Sequence, residues 1–164
     1  VYNEPSTVEM FAKLGVLAPN EVKARFEILN ETYVKKLQIE ARIIGDICLS
    51  HVIPAAVRYQ NILIENVKGI KEIFADDYVR YCSSELETLK KISQFINDIS
   101  ADVELLVEAR KKANRIEDIA ERAKVYSHSV KDMMDKVRES ADNLEMLIDN
   151  EMWPLPKYRE LLFF

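Results

Sequence analysis

From Ile116 onward, apolar side chains return at almost every third or fourth position: Ile116, Ile119, Ala123, Tyr126, Val130, Met133, Val137 and, past Ser140, Leu144 and Leu147. An α-helix turns once in about 3.6 residues, so this spacing gathers them into one stripe that must be covered by another surface. The same rhythm runs through Val22, Phe26, Leu29, Tyr33, Leu37, Ile44 and Ile47, with Ile28, Ile39 and Ile43 widening the stripe. It resumes at Leu63, Val67, Ile70 and Phe74, and again at Leu86, Leu89, Ile92, Ile96, Ile99, Val103 and Leu106. Long helices joined by short turns lie antiparallel. The sequence therefore predicts an all-α fold: an elongated antiparallel bundle of three to four long helices.

Only three glycines and five prolines punctuate the chain, so each carries weight. Ser6 with Glu9 has the spacing of a capping box and Gly15 is a natural stop, which predicts a short helix over 7–14. Pro19 suits a first helical position, and a long helix is expected over 19–74. Pro54 cannot donate to the carbonyl four residues back, so a kink is expected between His51 and Ile53. Ala75-Asp76-Asp77 is the candidate turn. Further helices are expected over 84–114 and 116–150, completing a bundle domain over 1–152.

The remainder, 153–164, is an apolar tail: Trp153, Pro154, Pro156, Tyr158, Leu161, Leu162, Phe163 and Phe164. Chain termini are usually polar and frayed, and exposed apolar segments mark contact sites. Two prolines block helix across its start, so the segment is expected to run extended. These eight residues are the candidate docking residues. They either clamp the bundle to another body or fold back onto the bundle itself.

Net charge is −5, with acids and bases interspersed, so no field of one sign favours nucleic acid or an anionic membrane surface. The densest basic run, Arg110-Lys111-Lys112 with Arg115, falls where a helix should end and there complements the helix dipole. No uninterrupted apolar run approaches the roughly 18 residues of a bilayer span. Cys48 and Cys82 lack CxxC spacing and read as buried thiols of a reducing, cytoplasmic setting. A chain opening at Val1 fits a domain cut from a longer polypeptide, and processing would produce the same start.

Neither histidine has a glutamate three residues before it, so the Glu-x-x-His step of bundle metal centres is missing. His51 is expected to satisfy carbonyls freed by the Pro54 kink. His128 stands between Ser127 and Ser129, but adjacent helical residues do not face one another, so no Ser–His nucleophile is expected. Glycines at 15, 45 and 69 make no phosphate loop. No catalytic, cofactor-binding or metal-binding residue is assigned.

Ala24-Arg25-Phe26-Glu27, Glu31, Tyr33, Ile39-Glu40-Ala41, Ile53-Pro54-Ala55 and Tyr59-Gln60, together with Glu151, Trp153-Pro154, Pro156, Tyr158 and Leu161-Leu162-Phe163, give the chain its likeness to known proteins. It resembles the C-terminal region of type III glutamine synthetases. The middle, 67–142, is similar only in helical character. The resemblance implies a parent enzyme that makes glutamine from glutamate, ammonia and ATP with Mg or Mn, in a catalytic domain absent from this chain. It implies partners in that catalytic domain and in neighbouring subunits of a homo-oligomer, with no nucleic acid and no membrane. The role left to this chain is structural or regulatory. Two alternatives rest on the residues alone: a stand-alone interaction module binding a partner helix beside Leu63 to Phe74, and a small-ligand sensor near the kink at Tyr59 and Cys48.

Overall fold

The computed structural model describes residues 4–162, and among them the regular structure is helical. Helix α1 spans Pro5–Lys13, α2 Pro19–Ile47, α3 Ile53–Phe74, α4 Tyr78–Tyr81, α5 Ser83–Asn114, α6 Ile119–Val125, α7 Lys131–Leu147 and α8 Tyr158–Leu161. Helices α2 and α3 are continuous through a π-helical turn at Cys48–Val52, and α6 and α7 through another at Tyr126–Val130. The central section is three rods: α2–α3, α5 running against it, and α6–α7 running back along α5 and α2.

The first π turn shows how Pro54 is accommodated. Its missing N–H and its ring break the ordinary ladder one turn back, and inserting a residue into that turn absorbs the mismatch. The insertion also corrects register. Val34, Leu37, Ala41 and Gly45 face the core from α2, and the same face continues through Cys48, Val52, Ala55 and Ala56. Opposite them lie Ile92, Ile99, Val103 and Leu106 of α5 and Val130, Val137 and Leu144 of the last rod, all almost wholly buried.

Two boundaries depart from expectation, and the expected turn at Ala75 takes a specific form. Helix α1 begins at Pro5, so Ser6 lies inside its first turn and the Ser6–Glu9 capping box does not form; Glu9 instead pairs with Lys13 at 2.8 Å. The last rod begins at Ile119 and not at Ile116, because the Asp118 carboxylate accepts the Glu121 N–H at 2.8 Å and sets the start. The turn at Ala75–Asp77 is a single 3₁₀ turn, entered by Ala75 at φ +47°, a left-handed angle that a Cβ disfavours. Gly15 closes α1 at φ +64°, where a glycine is the natural occupant.

The apolar stripe of α2 also differs. Leu29 and Tyr33, expected inside, are exposed, as are Ile28, Ile39 and Ile43. The helix carries more aliphatic surface than two neighbours can cover.

Candidate functional site

Part of the uncovered apolar surface forms a row on the outer side of α2. Ile28, Leu29, Ile39 and Ile43 are 61%, 57%, 57% and 51% exposed. Glu21, Ala24, Arg25, Ile28 and Leu29 line an open cleft of about 600 Å³, and α1 beside it buries none of its residues while exposing Met10. The continuous helix Pro19–Tyr81 contains an 18-residue window long and apolar enough to cross a membrane by length and composition, and only 22% of that window is buried in the bundle. Single exposed aliphatics are ordinary, but a row of them on one helix marks a contact surface.

At the far end α3 and α5 pair alone, beyond the reach of α7. Gln60, Ile64, Leu86 and Leu89 border a second cleft there, of about 700 Å³, and Gln60 donates to Ser93 at 2.8 Å across it. Phe74 stacks on Tyr81 with ring centroids 4.2 Å apart, closing the tip.

The tail divides into two parts. Trp153 is buried against the bundle at 8% exposure, Leu155 is partly buried, and both border a cleft floored by Ile44, Cys48 and Val52. Lys157 is buried too, and its ammonium donates to the carbonyls of Glu145 at 2.7 Å and Ile148 at 3.0 Å, at the electronegative end of α7. Pro154 and Pro156 are exposed. The expected extended run gives way to one helical turn, α8, whose first residues are held by the Glu160 carboxylate accepting the Lys157 N–H at 3.3 Å. Leu161 and Leu162 point outward at 54% and 77% exposure. Phe163, Phe164 and the side chain of Tyr158 lie outside the described residues.

The histidines sit differently from expectation. His51 belongs to the π turn and its side chain is exposed. His128 does meet Ser127, with Nδ1 2.8 Å from the serine Oγ, because the π turn alters the angle between neighbours. The same Nδ1 lies 2.9 Å from the Lys124 carbonyl, which can only accept, so the nitrogen carries the proton. An imidazole nitrogen already protonated cannot take a proton from serine, and the pair has no nucleophilic use. Burial pushes the Cys48 thiol up to about 11, with Asp142 adding to the effect, so it is no thiolate nucleophile at neutral pH. Among the described residues no three His, Cys, Asp or Glu side chains converge as a metal site would require.

One constellation escaped the sequence reading. Tyr126, fully buried, donates to Asn114 Oδ1 at 2.7 Å. Burial pushes its phenol upward, while the guanidiniums of Arg110, Arg122 and Arg42 and the Asn114 hydrogen bond act the other way. Those arginines come from three rods, and spacing along the chain gave no sign that all three act on one phenol.

The described residues thus expose apolar rows on α2 and in the tail. The family model described as the glutamine synthetase C-terminal domain matches residues 1–71. A glutamine synthetase of Bacteroides fragilis is 44% identical over 144 residues, 87% of this chain. The likeness to glutamine synthetases therefore runs over most of the chain, and residues 1–71 match the C-terminal domain family. A type-3 glutamine synthetase of Dictyostelium discoideum is 29% identical across 98% of the chain, and a glutamine synthetase of Butyrivibrio fibrisolvens is 28% identical across 96%. The chain spans only about a fifth of the length of these relatives, 20% to 22%. The family match falls on α1, α2 and most of α3, the elements that carry the exposed aliphatic face.

Proposed function

We propose that this chain is a non-catalytic helical domain of a type III glutamine synthetase, serving the structure and assembly of a parent enzyme that joins ammonia to glutamate at the expense of ATP. ATP and the divalent cations belong to the remainder of that enzyme. The observation that carries this reading is the exposed row Ile28, Leu29, Ile39 and Ile43, on a chain that spans a fifth of its relatives' length. Apolar surface in water costs roughly 25 cal/mol per Å², and the missing four-fifths of the parent is the surface at hand to cover it. The outward Leu161 and Leu162 offer a second apolar contact from the tail, while Trp153 and Lys157 anchor that tail in cis. A cytoplasmic setting follows from the parent's small, charged substrates.

The test uses the full-length parent enzyme carrying Ile39→Glu with Ile43→Glu. Both side chains are already half in water, so the bundle should keep its helical signal while the assembly loses mass or turnover. An enzyme of unchanged oligomer mass and unchanged glutamine synthesis refutes the docking role of this face.

A further inference from the structure

The outer row of α2 is spaced as a palindrome. Arg25, Ile28, Thr32, Ile39, Ile43 and Asp46 are all exposed and follow one another at steps of three, four, seven, four and three residues. Such steps keep the six on one face of the helix, opposite the buried Val34, Leu37, Ala41 and Cys48. A row that reads the same from either end suits an isologous contact, in which one patch meets its own copy across a two-fold axis.

Set antiparallel on an axis between Lys35 and Lys36, two such rows bring Ile28 against Ile43 and Thr32 against Ile39, each twice. At the ends Arg25 meets Asp46, again twice, so opposite charges close an aliphatic centre. Among the described residues no ion pair holds Arg25, and Asp46 accepts the Ser50 hydroxyl at 3.2 Å. Within one chain Arg25 and Asp46 stand roughly 30 Å apart on the same helix and do not reach each other. Lys35 and Lys36 lie nearest the axis. Each has a carboxylate one turn away on its own helix, Glu31 at 3.6 Å from Lys35 and Glu40 four residues beyond Lys36, which offsets the like charges there. The open cleft bordered by Arg25, Ile28 and Leu29 gives the second copy's Ile43 room to enter.

We infer that the outer face of α2, from Arg25 to Asp46, is a two-fold interface that takes the same face of a second copy of this chain. The inference rests on the reading of this row as an assembly contact and narrows its partner from the rest of the parent to a neighbouring subunit's α2. One helix against one helix is a small contact, weak in isolation and strengthened where the parent holds two copies close together.

Sedimentation equilibrium of the 164-residue chain tests this, and a monomer–dimer equilibrium with Kd of about 100 μM or tighter is expected. Arg25→Asp sets acid against acid at both ends and Asp46→Arg sets base against base, so each should weaken the dimer about tenfold or more. An equimolar mixture of the two variants restores both opposite-charge pairs. It should dimerise within about threefold of the unaltered chain, as should the double variant, while Lys68→Asp on α3 changes nothing. Should either single variant lose its helical circular dichroism, Ile28→Gln, at a side chain 61% exposed, carries the same expectation of weaker pairing. A chain that stays monomeric up to about 1 mM overturns the interface, as do single variants that dimerise undiminished or a mixture that stays apart. If the chain is monomeric while the parent still loses mass with Ile39→Glu and Ile43→Glu, this pairing fails and the assembly role stands.

Discussion

The Lys157 ammonium stands 5.9 Å from the centre of the Trp153 ring while donating to two carbonyls at the end of α7. One side chain thereby caps a helix and holds the indole that covers the bundle. A cation near an aromatic ring adds roughly 0.5–2 kcal/mol, and the charged hydrogen bonds contribute more than neutral ones. Lys157→Met keeps the aliphatic stem and removes both effects. It should lower the stability of the chain by about 1–3 kcal/mol. Trp153 is the single tryptophan, so its emission should shift to the red in the variant, and the urea midpoint gives the magnitude. Unshifted emission would show that the tail stays seated without the lysine.

Trp153→Ala should cost more, about 3–5 kcal/mol, because it empties the slot over Ile44, Cys48 and Val52. Denaturant unfolding followed by circular dichroism measures this. A loss under about 1 kcal/mol would mean that the indole adds little to the bundle.

Cys48 makes stability fall at alkaline pH. Its thiol is raised from 9.0 to about 11 in the folded chain, so the native state holds the proton that the unfolded state releases. The contribution is fully present below pH 9.0 and is lost as pH rises toward and through about 11. Unfolding free energy should drop by about 2 kcal/mol across that window from this group. Tyr126, also raised by burial, deepens the loss. Cys48→Ala should flatten the alkaline limb relative to the parent chain in urea midpoints taken from pH 8 to about 11. Parallel limbs would contradict it.

Two opposite substitutions at small residues should both stabilise. A Cβ added at Gly69, inside α3, meets nothing within 4 Å, so Gly69→Ala gains helix propensity unopposed, about 0.5–1 kcal/mol. At Ala75 the left-handed φ of +47° favours the reverse change, and Ala75→Gly should gain roughly 0.5–1 kcal/mol by relieving the Cβ. Thermal melts of each variant read the sign. The same alanine at Gly45 should gain less, because its Cβ would press on Val103 at 3.4 Å.

The helices were legible because their cause is local. Apolar spacing, proline positions and the turn at Ala75 act over a few residues, and the rods of the bundle emerge from them. Spacing could not say which of two adjacent apolar rows on α2 turns inward. Val34 and Leu37 are buried whereas Leu29 and Ile39 are not, because α5 and the last rod approach from one side only. The aliphatic face that carries the proposed contact was thus read as core.

What the sequence by itself determined is that this chain forms long helices, that Pro54 disturbs one of them, and that an apolar tail ends it. Periodicity and proline chemistry are properties of neighbouring residues and survive without tertiary context. The tertiary structure alone decided that Lys157 is an internal cap, that Trp153 seats in cis, and that Tyr126 of the last rod meets Asn114 of α5. Those relationships depend on how whole rods align, and residues dozens of positions apart become neighbours only when hydrophobic burial fixes that alignment.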